Sequence, residues 1–156
     1  MDETDIEVKG VWKYLYRAFD KEGETVDFLL ATHRDMAAAR RFFEKAIREN
    51  GAPSKVTMDK SGANKAAIDE INRNRDVQIT VREVKYLNNI VEEHHRAIKR
   101  VTRPMLNLES FRSASNVLAG IELIHMTRKG QFAVDGVTPL SFTDQFYTLA
   151  GQIPAL

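Results

Sequence analysis

The order of apolar and polar residues near the start of the chain is typical of three short β-strands. Each run alternates β-branched or aromatic residues with polar ones, and glycine-containing turns separate the runs. The runs are residues 2–8, 11–19 and 25–31. Because the connections are short, we predict an antiparallel meander. Trp12, Tyr14 and Tyr16 alternate on one face of the second strand, which favours their burial in the core.

After position 31 the spacing of apolar residues changes, and segments with helical spacing alternate with short apolar runs typical of strands. We predict helices over residues 33–50, 64–74, 88–103 and 109–128. We predict short strands over residues 55–58 and 78–84. This order indicates an α/β domain over residues 1–130, with a mixed five-stranded sheet of three antiparallel strands and two parallel additions, flanked by helices. Residues 131–156 are predicted to form a C-terminal tail with a short helix.

Composition narrows the class of protein. A chain of 156 residues, 43% of them hydrophobic, is long enough for one domain with its own core. The absence of cysteine excludes disulfides and thiolate metal sites and fits a cytoplasmic protein. No apolar run approaches the roughly 20 residues of a membrane span, so we expect no membrane partner.

Charge is distributed unevenly, although the net charge is only +1. Residues 1–31 carry eight acids and four bases, whereas residues 82–131 carry five acids and nine bases. This polarity indicates an anionic partner for the second half, and a cation or solvent for the acids of the first half.

Three acids lie where a catalytic site could form. Asp2 begins the first strand on the face of its apolar residues, where burial is costly without a partner or a cation. Asp59 follows the strand at 55–58, and ligands collect at such strand ends in open α/β sheets, although alone it could merely cap a turn. Glu92 and Glu93 point about 100° apart on their helix, so only one can face a given site. Glu92 shares its face with basic residues and is the better candidate ligand.

The adjacent histidines of the same helix raise the possibility of a zinc site. No H-x₃-H pair and no cysteine supports zinc. His94 falls on the apolar stripe of the helix and is predicted to be a hydrogen-bonded core residue. His95 flanks Glu92 and is a candidate for contact with the site or with a nucleic acid.

Five motifs occur in order between residue 2 and about residue 132. They are DET, KYLYRAFDKEGETVDFLL, DKS, VKYLNNIVEEHHRAIKR and FRSASNVLAGIELIHMTRKGQF. Together they resemble the catalytic domain of bacterial insertion-sequence transposases of the DDE type, most closely those of insertion-sequence family six.

The resemblance implies a ribonuclease H-like fold and a transposase that hydrolyses phosphodiester bonds and then transfers DNA strands. Asp2, Asp59 and Glu92 match the family's catalytic, metal-binding triad, and Lys99 matches a basic residue seven places after the glutamate. The implied cofactor is Mg²⁺, with Mn²⁺ as its substitute. Two such ions about 4 Å apart would activate the hydroxyl nucleophile and relieve charge at the phosphate.

The resemblance also implies partners and a location. DNA would be bound as transposon ends and as target, by a homo-oligomer that is a dimer when assembled on DNA. The location would be the bacterial cytoplasm, in association with the nucleoid. The residues expected to contact DNA, mostly through its phosphates, are Lys60, His95, Arg96, Lys99, Arg100 and Arg103.

The chain departs from the family pattern in three places. Asp5 stands where relatives usually have an aromatic residue, and the 32 residues between Asp59 and Glu92 are slightly few. One residue precedes Asp2, whereas relatives carry a helical DNA-binding segment there, so we expect a fragment, a truncated copy or an isolated catalytic core. Two other hypotheses stay open: a non-catalytic fragment that acts by DNA binding or dimerisation, and a nuclease of the same fold.

Overall fold

The computed structural model describes residues 1–84, 89–105, 108–132 and 141–151, with the main chain alone at residues 89–92 and 150. Its first part is a three-stranded antiparallel sheet, as predicted. The strands, in spatial order, are β1 (Asp2–Val8), β2 (Val11–Phe19) and β3 (Thr25–Ala31). Alternation along β1 buries Asp2 and Thr4 on the same face as Ile6 and Val8.

The connection between β1 and β2 is a tight turn. Lys9 and Gly10 both have positive φ there, 50° and 75°, as two-residue hairpin turns require. Trp12 lies next to this turn, and 57% of its surface is exposed. The prediction that Trp12 packs in the core is therefore wrong. Tyr16, which pairs with Glu3 further along the sheet, is fully buried.

Helix α1 (Met36–Asn50) begins later than the predicted position 33 because Asp35 caps it. The Asp35 carboxylate accepts a hydrogen bond of 2.7 Å from the main-chain nitrogen of Ala38. The helix ends before Gly51, whose φ of 82° takes the chain out of the helical direction.

A parallel strand pair follows α1, close to the predicted positions. Its elements are β4 (Lys55–Asp59), α2 (Gly62–Arg73) and β5 (Thr80–Val84). Lys55 pairs with Thr80 at one end, and Asp59 pairs with Val84 at the other. The crossover through α2 allows the parallel pairing and leaves Asp59 at the carboxyl end of its strand.

The prediction of one mixed five-stranded sheet is wrong for the described residues. The antiparallel strands form one sheet, and β4 and β5 form a separate two-stranded sheet. The main-chain nitrogen of Met1, just before β1, donates a hydrogen bond of 2.8 Å to the Thr57 oxygen of β4. An apolar cavity of about 750 Å³, lined in part by Met1, Phe19, Val56 and Ile79, lies next to this point. Packing across shared apolar side chains, rather than a continuous hydrogen-bond ladder, therefore joins the two sheets.

Helices dominate the rest of the described chain. They are α3 (Asn89–Thr102), α4 (Phe111–Arg128) and α5 (Phe142–Gly151), with a turn of 3₁₀ helix at Arg103–Met105. Ser110 caps α4 by accepting a hydrogen bond of 3.1 Å from the Ser113 nitrogen. Within the described ranges, no helix combines the length and apolar character that crossing a membrane requires.

The antiparallel sheet carries a hydrophobic cluster on each face. One cluster includes Tyr16 and Phe42 and lies on the side of α1 and α2. The other includes Leu15 and Ile98 and lies on the side of α3 and α4. Asp2 shares the face of this second cluster, so its carboxylate points towards the two helices of the basic half of the chain.

Candidate active site

Asp2 is a buried acid whose carboxylate contacts an arginine and a histidine. Only 4% of the residue is exposed, which the strand alternation predicts. Its Oδ2 atom accepts a hydrogen bond of 3.0 Å from Nη2 of Arg17 and lies 2.5 Å from Nε2 of His95. Arg17 lies directly opposite on β2, whereas His95 lies on α3. Asp2 therefore joins the sheet to the helix that carries Glu92.

Asp59 lies at the end of β4, near the start of β1. The hydrogen bond from Met1 to Thr57 places the two chain segments side by side. Burial lowers the pKa of the Met1 amine, and the carboxylates of Asp2 and Asp59 act against that shift. Both acids therefore lie within electrostatic range of the same group, which is consistent with a shared site.

A further acid, Glu3, is buried behind this region. Its side chain is only 5% exposed and forms an ion pair of 2.6 Å with Nε of Arg34. Asn64, in the first turn of α2, donates a hydrogen bond to its other oxygen. Burial raises the pKa of Glu3, and the negative charge of Asp59 acts in the same direction. Glu3 thus links β1 to the helix that follows Asp59.

Helix α3 carries Glu92 at its fourth position, as predicted from the sequence. The side chain of Glu92 lies outside the described residues. The neighbouring Glu93 is exposed. Among the described side chains, no group of three or more histidine or acidic residues is arranged to hold a metal ion.

A basic groove of about 610 Å³ runs along α3. Its lining residues are His95, Arg96, Lys99, Arg100, Arg103 and Pro104. The structure therefore brings together all of the residues predicted to contact DNA except Lys60, which is exposed beyond β4. Because His95 reaches Asp2, the inner end of the groove meets the buried acid.

His94 is confirmed as a hydrogen-bonded core residue. Its Nε2 atom lies 3.2 Å from the Gly23 oxygen, and its ring stacks on Phe19 with centroids 4.0 Å apart. Burial lowers the pKa of His94 to about 4, and the nearby charges of Lys129 and His125 contribute to the shift. At neutral pH His94 is therefore uncharged and holds α3 against the turn between β2 and β3.

Sequence reasoning missed two charged residues that are fully buried here, Arg17 and Glu122. Their side chains contact each other at 3.4 Å. Each had a signal in the sequence, since Arg17 lies on the strand face of Leu15 and Glu122 is a lone acid within the apolar run of α4. A charge within an apolar pattern usually needs a buried partner.

A family model described as a DDE domain matches residues 1–131 of the chain. The chain belongs to the DDE family of insertion-sequence transposases. The resemblance recognised from the five motifs is thus confirmed. The order of the family pattern fits what the fold shows, with Asp2 and Asp59 at neighbouring strand ends and Glu92 on a helix that contacts Asp2.

Two curated DDE-family relatives come from Staphylococcus aureus. They are the transposase for insertion sequence-like element IS431mec and the transposase for insertion sequence element IS257 in transposon Tn4003. Each is 40% identical to this chain over 134 residues, which is 83% of this chain and 57% of the relative. The chain thus spans little more than half the length of these relatives.

A solved structure with a similar fold is the simian T-cell lymphotropic virus intasome in complex with a PP2A regulatory subunit, determined by cryo-electron microscopy. The TM-score is 0.57 at 14% identity, over 92% of this chain and 51% of that chain. At this identity the likeness concerns the fold alone.

Proposed function

We propose that this chain is the catalytic core of a DNA transposase, a metal-dependent enzyme that hydrolyses phosphodiester bonds and transfers DNA strands. The contact between Asp2 and His95 carries the proposal. It brings an acid at the start of β1 to the helix that bears a second acid, Glu92, and the basic groove. Membership of the DDE family supports the same assignment.

The chemistry of the three acids fits divalent metal ions, because carboxylates are the hard ligands that Mg²⁺ prefers. Arg17 and His95 both contact Oδ2 of Asp2. We therefore assign Oδ1 as the atom that would bind an ion. We assign Asp2, Asp59 and Glu92 as catalytic ligands of Mg²⁺, with Mn²⁺ as its substitute. Ions bound there would activate a water or a 3′-hydroxyl and offset negative charge on the phosphate.

The chain's own residues would position the DNA. The cations of the basic groove lie beside Asp2, so a phosphate backbone in the groove would place a phosphate next to the acids. We assign Lys99 to the phosphates nearest the reacting group, and His95 to the boundary between groove and acids. Arg96, Arg100, Arg103 and Lys60 would extend the contact.

Such an enzyme would act on transposon ends and target DNA as a homo-oligomer, a dimer when assembled on DNA. Its place would be the bacterial cytoplasm with the nucleoid, where its DNA is. We further propose that the fold is ribonuclease H-like, with residues 1–130 as the catalytic domain and 131–156 as a C-terminal tail. Similarity to the intasome structure supports the fold, and the family match to residues 1–131 supports the boundary.

A joining assay tests the proposed function. The chain is incubated with Mg²⁺, supercoiled plasmid and a duplex that already carries free 3′-hydroxyl ends. Covalent joining of duplex to plasmid is the expected result. Cutting of the plasmid without joining would make the chain a nuclease. DNA binding with neither product would make it a non-catalytic, DNA-binding fragment.

A further inference from the structure

Arg17 occupies the centre of a buried polar network between β1, α3 and α4. Its side chain is fully buried, with the guanidinium carbon 5.2 Å from the centre of the Phe19 ring. Nη2 donates to Oδ2 of Asp2 at 3.0 Å and to Oγ1 of Thr4 at 3.1 Å. Both acceptors belong to β1, so one end of the guanidinium fixes the position of that strand.

The other end of the guanidinium reaches the two helices. Nη1 donates to the main-chain oxygen of His94 at 3.3 Å and to Oε1 of Glu122 at 3.4 Å. His94 lies two residues after Glu92 on α3. The second oxygen of Glu122 accepts a hydrogen bond of 3.3 Å from Thr25 on β3. Glu122 is therefore anchored independently of Asp2.

We propose that Arg17 is a positioning residue of the active site, and that Glu122 is the counter-ion that keeps it in place. This inference rests on the proposed function, in which Asp2 and Glu92 are metal ligands. A planar guanidinium with its donors in a fixed fork can hold a strand and a helix backbone at one separation. Arg17 thereby sets the distance between Asp2 and the helix turn that carries Glu92.

The charge balance of the network explains the need for Glu122. One buried cation is shared by two buried carboxylates, Asp2 and Glu122. If a divalent ion were bound to Asp2, the carboxylate would neutralise the Arg17 charge less well. A buried cation without a full counter-charge is strongly destabilising. Glu122 supplies the remaining negative charge and would keep Arg17 in place if Asp2 held an ion through its other oxygen.

Stability alone is a weak explanation for such a network. Buried ion pairs often contribute little compared with apolar residues of the same volume. Residues that orient metal ligands from behind, by contrast, typically change metal affinity or activity by ten- to a hundredfold when replaced. The expected signature is therefore a loss of metal affinity in variants that are still folded at the temperature of the titration.

The test is a Mn²⁺ titration of the full chain, followed by the electron paramagnetic resonance signal of free Mn²⁺. Arg17→Lys keeps the charge but lacks the fork, and Glu122→Gln keeps the shape but lacks the charge. We expect each variant to weaken Mn²⁺ binding roughly tenfold. Asp27→Asn is the matched control, because Asp27 is also a buried acid and its ion pair with the half-buried Lys45 lies on the opposite side of β3. It should leave Mn²⁺ binding unchanged.

Thermal unfolding of every variant is measured in parallel. Thr4→Val is a milder variant that keeps the side-chain volume and removes one acceptor of Arg17, and it should weaken Mn²⁺ binding by roughly threefold. Normal binding by these variants, or an equal loss in Asp27→Asn, would overturn the role of Arg17. Asp59→Asn tests the proposed metal site separately from the role of Arg17, since it should abolish Mn²⁺ binding if that site exists. Unchanged binding in Asp59→Asn would instead count against the proposed function itself.

Discussion

The Nε2 atom of His95 lies 2.5 Å from Oδ2 of Asp2, although 93 positions separate the two residues in the sequence. The Asp2 side chain is 3% exposed and that of His95 is 23% exposed. The contact therefore marks the inner end of the basic groove, where solvent meets a buried acid. His95 can act on the acid, on DNA, or on both, and measurement can separate these roles.

His95→Gln should lower DNA joining by roughly ten- to a hundredfold, because Asp2 loses a group that orients it. The salt dependence of DNA binding should stay the same, since the partner of His95 is a carboxylate and not a phosphate. Joining rates and filter-binding titrations at several salt concentrations provide the comparison. A salt slope shallower by about one unit would show that His95 is a phosphate contact instead.

Glu92→Gln should reduce joining to below about one per cent of the unaltered chain, because it removes an ion ligand. DNA affinity should change little, since no phosphate contact is lost. Glu93→Gln is the matched control on the same helix, and its exposed position predicts near-normal joining. If Glu93→Gln were inactive and Glu92→Gln active, the orientation that we assign to α3 would be reversed.

The basic groove should bind DNA through phosphates and without regard to sequence. Lys99→Gln and Arg103→Gln should each weaken binding to terminal-repeat and scrambled duplexes alike, and make the salt slope shallower by roughly one unit. Arg48→Gln on α1 is the control, because Arg48 is an exposed arginine that does not line the groove. A preference of about a hundredfold for terminal repeats would show that this chain reads sequence, contrary to our division of roles.

The buried His94 and the half-buried His125 should make folding sensitive to acid. Burial lowers the pKa of His94 to about 4 and also lowers that of His125. In the unfolded chain the pKa of histidine is about 6.5. As the pH falls below about 6.5 the unfolded state binds more protons, so the free energy of unfolding decreases, by at most about 1.4 kcal/mol per pH unit for each group. Above that pH the two groups contribute no slope.

Urea unfolding at about pH 7.5 and about pH 5 measures this effect. His125→Gln should lose less stability than the unaltered chain between the two conditions. His33→Gln provides the control, because His33 is exposed in the segment before α1. Equal losses in all three proteins would mean that the acid sensitivity comes from other groups.

Local structure could be predicted from the sequence because it depends on local periodicity. The alternation in β1 placed Asp2 on the buried face, and the apolar stripe of α3 placed His94 in the core. The start of α1 was missed by a few residues, since a side-chain cap at Asp35 decides it. The exposure of Trp12 was missed because alternation shows which face a residue is on, but not whether that part of the strand is covered by other elements.

Long-range association could not be predicted in the same way. The separation into two sheets depends on how β4 meets β1, which a pattern within either strand does not determine. Arg17 and Glu122 are 105 positions apart, and each alone resembles an ordinary charged residue. Only the register that sets Asp2 opposite Arg17, together with the packing of α4, shows that they form one network.

Our proposal places Asp2, Asp59 and Glu92 in one metal site. Crystals soaked in Mn²⁺ and measured at the manganese absorption edge test it most directly, because the anomalous signal locates the ions without reference to activity. We expect anomalous peaks in direct contact with carboxylate oxygens of Asp2 and Asp59, with Glu92 completing the site from α3. Peaks elsewhere would contradict the proposed site. So would a structure in which the Asp2 carboxylate contacts only Arg17 and His95, binds no ion and lies far from Asp59.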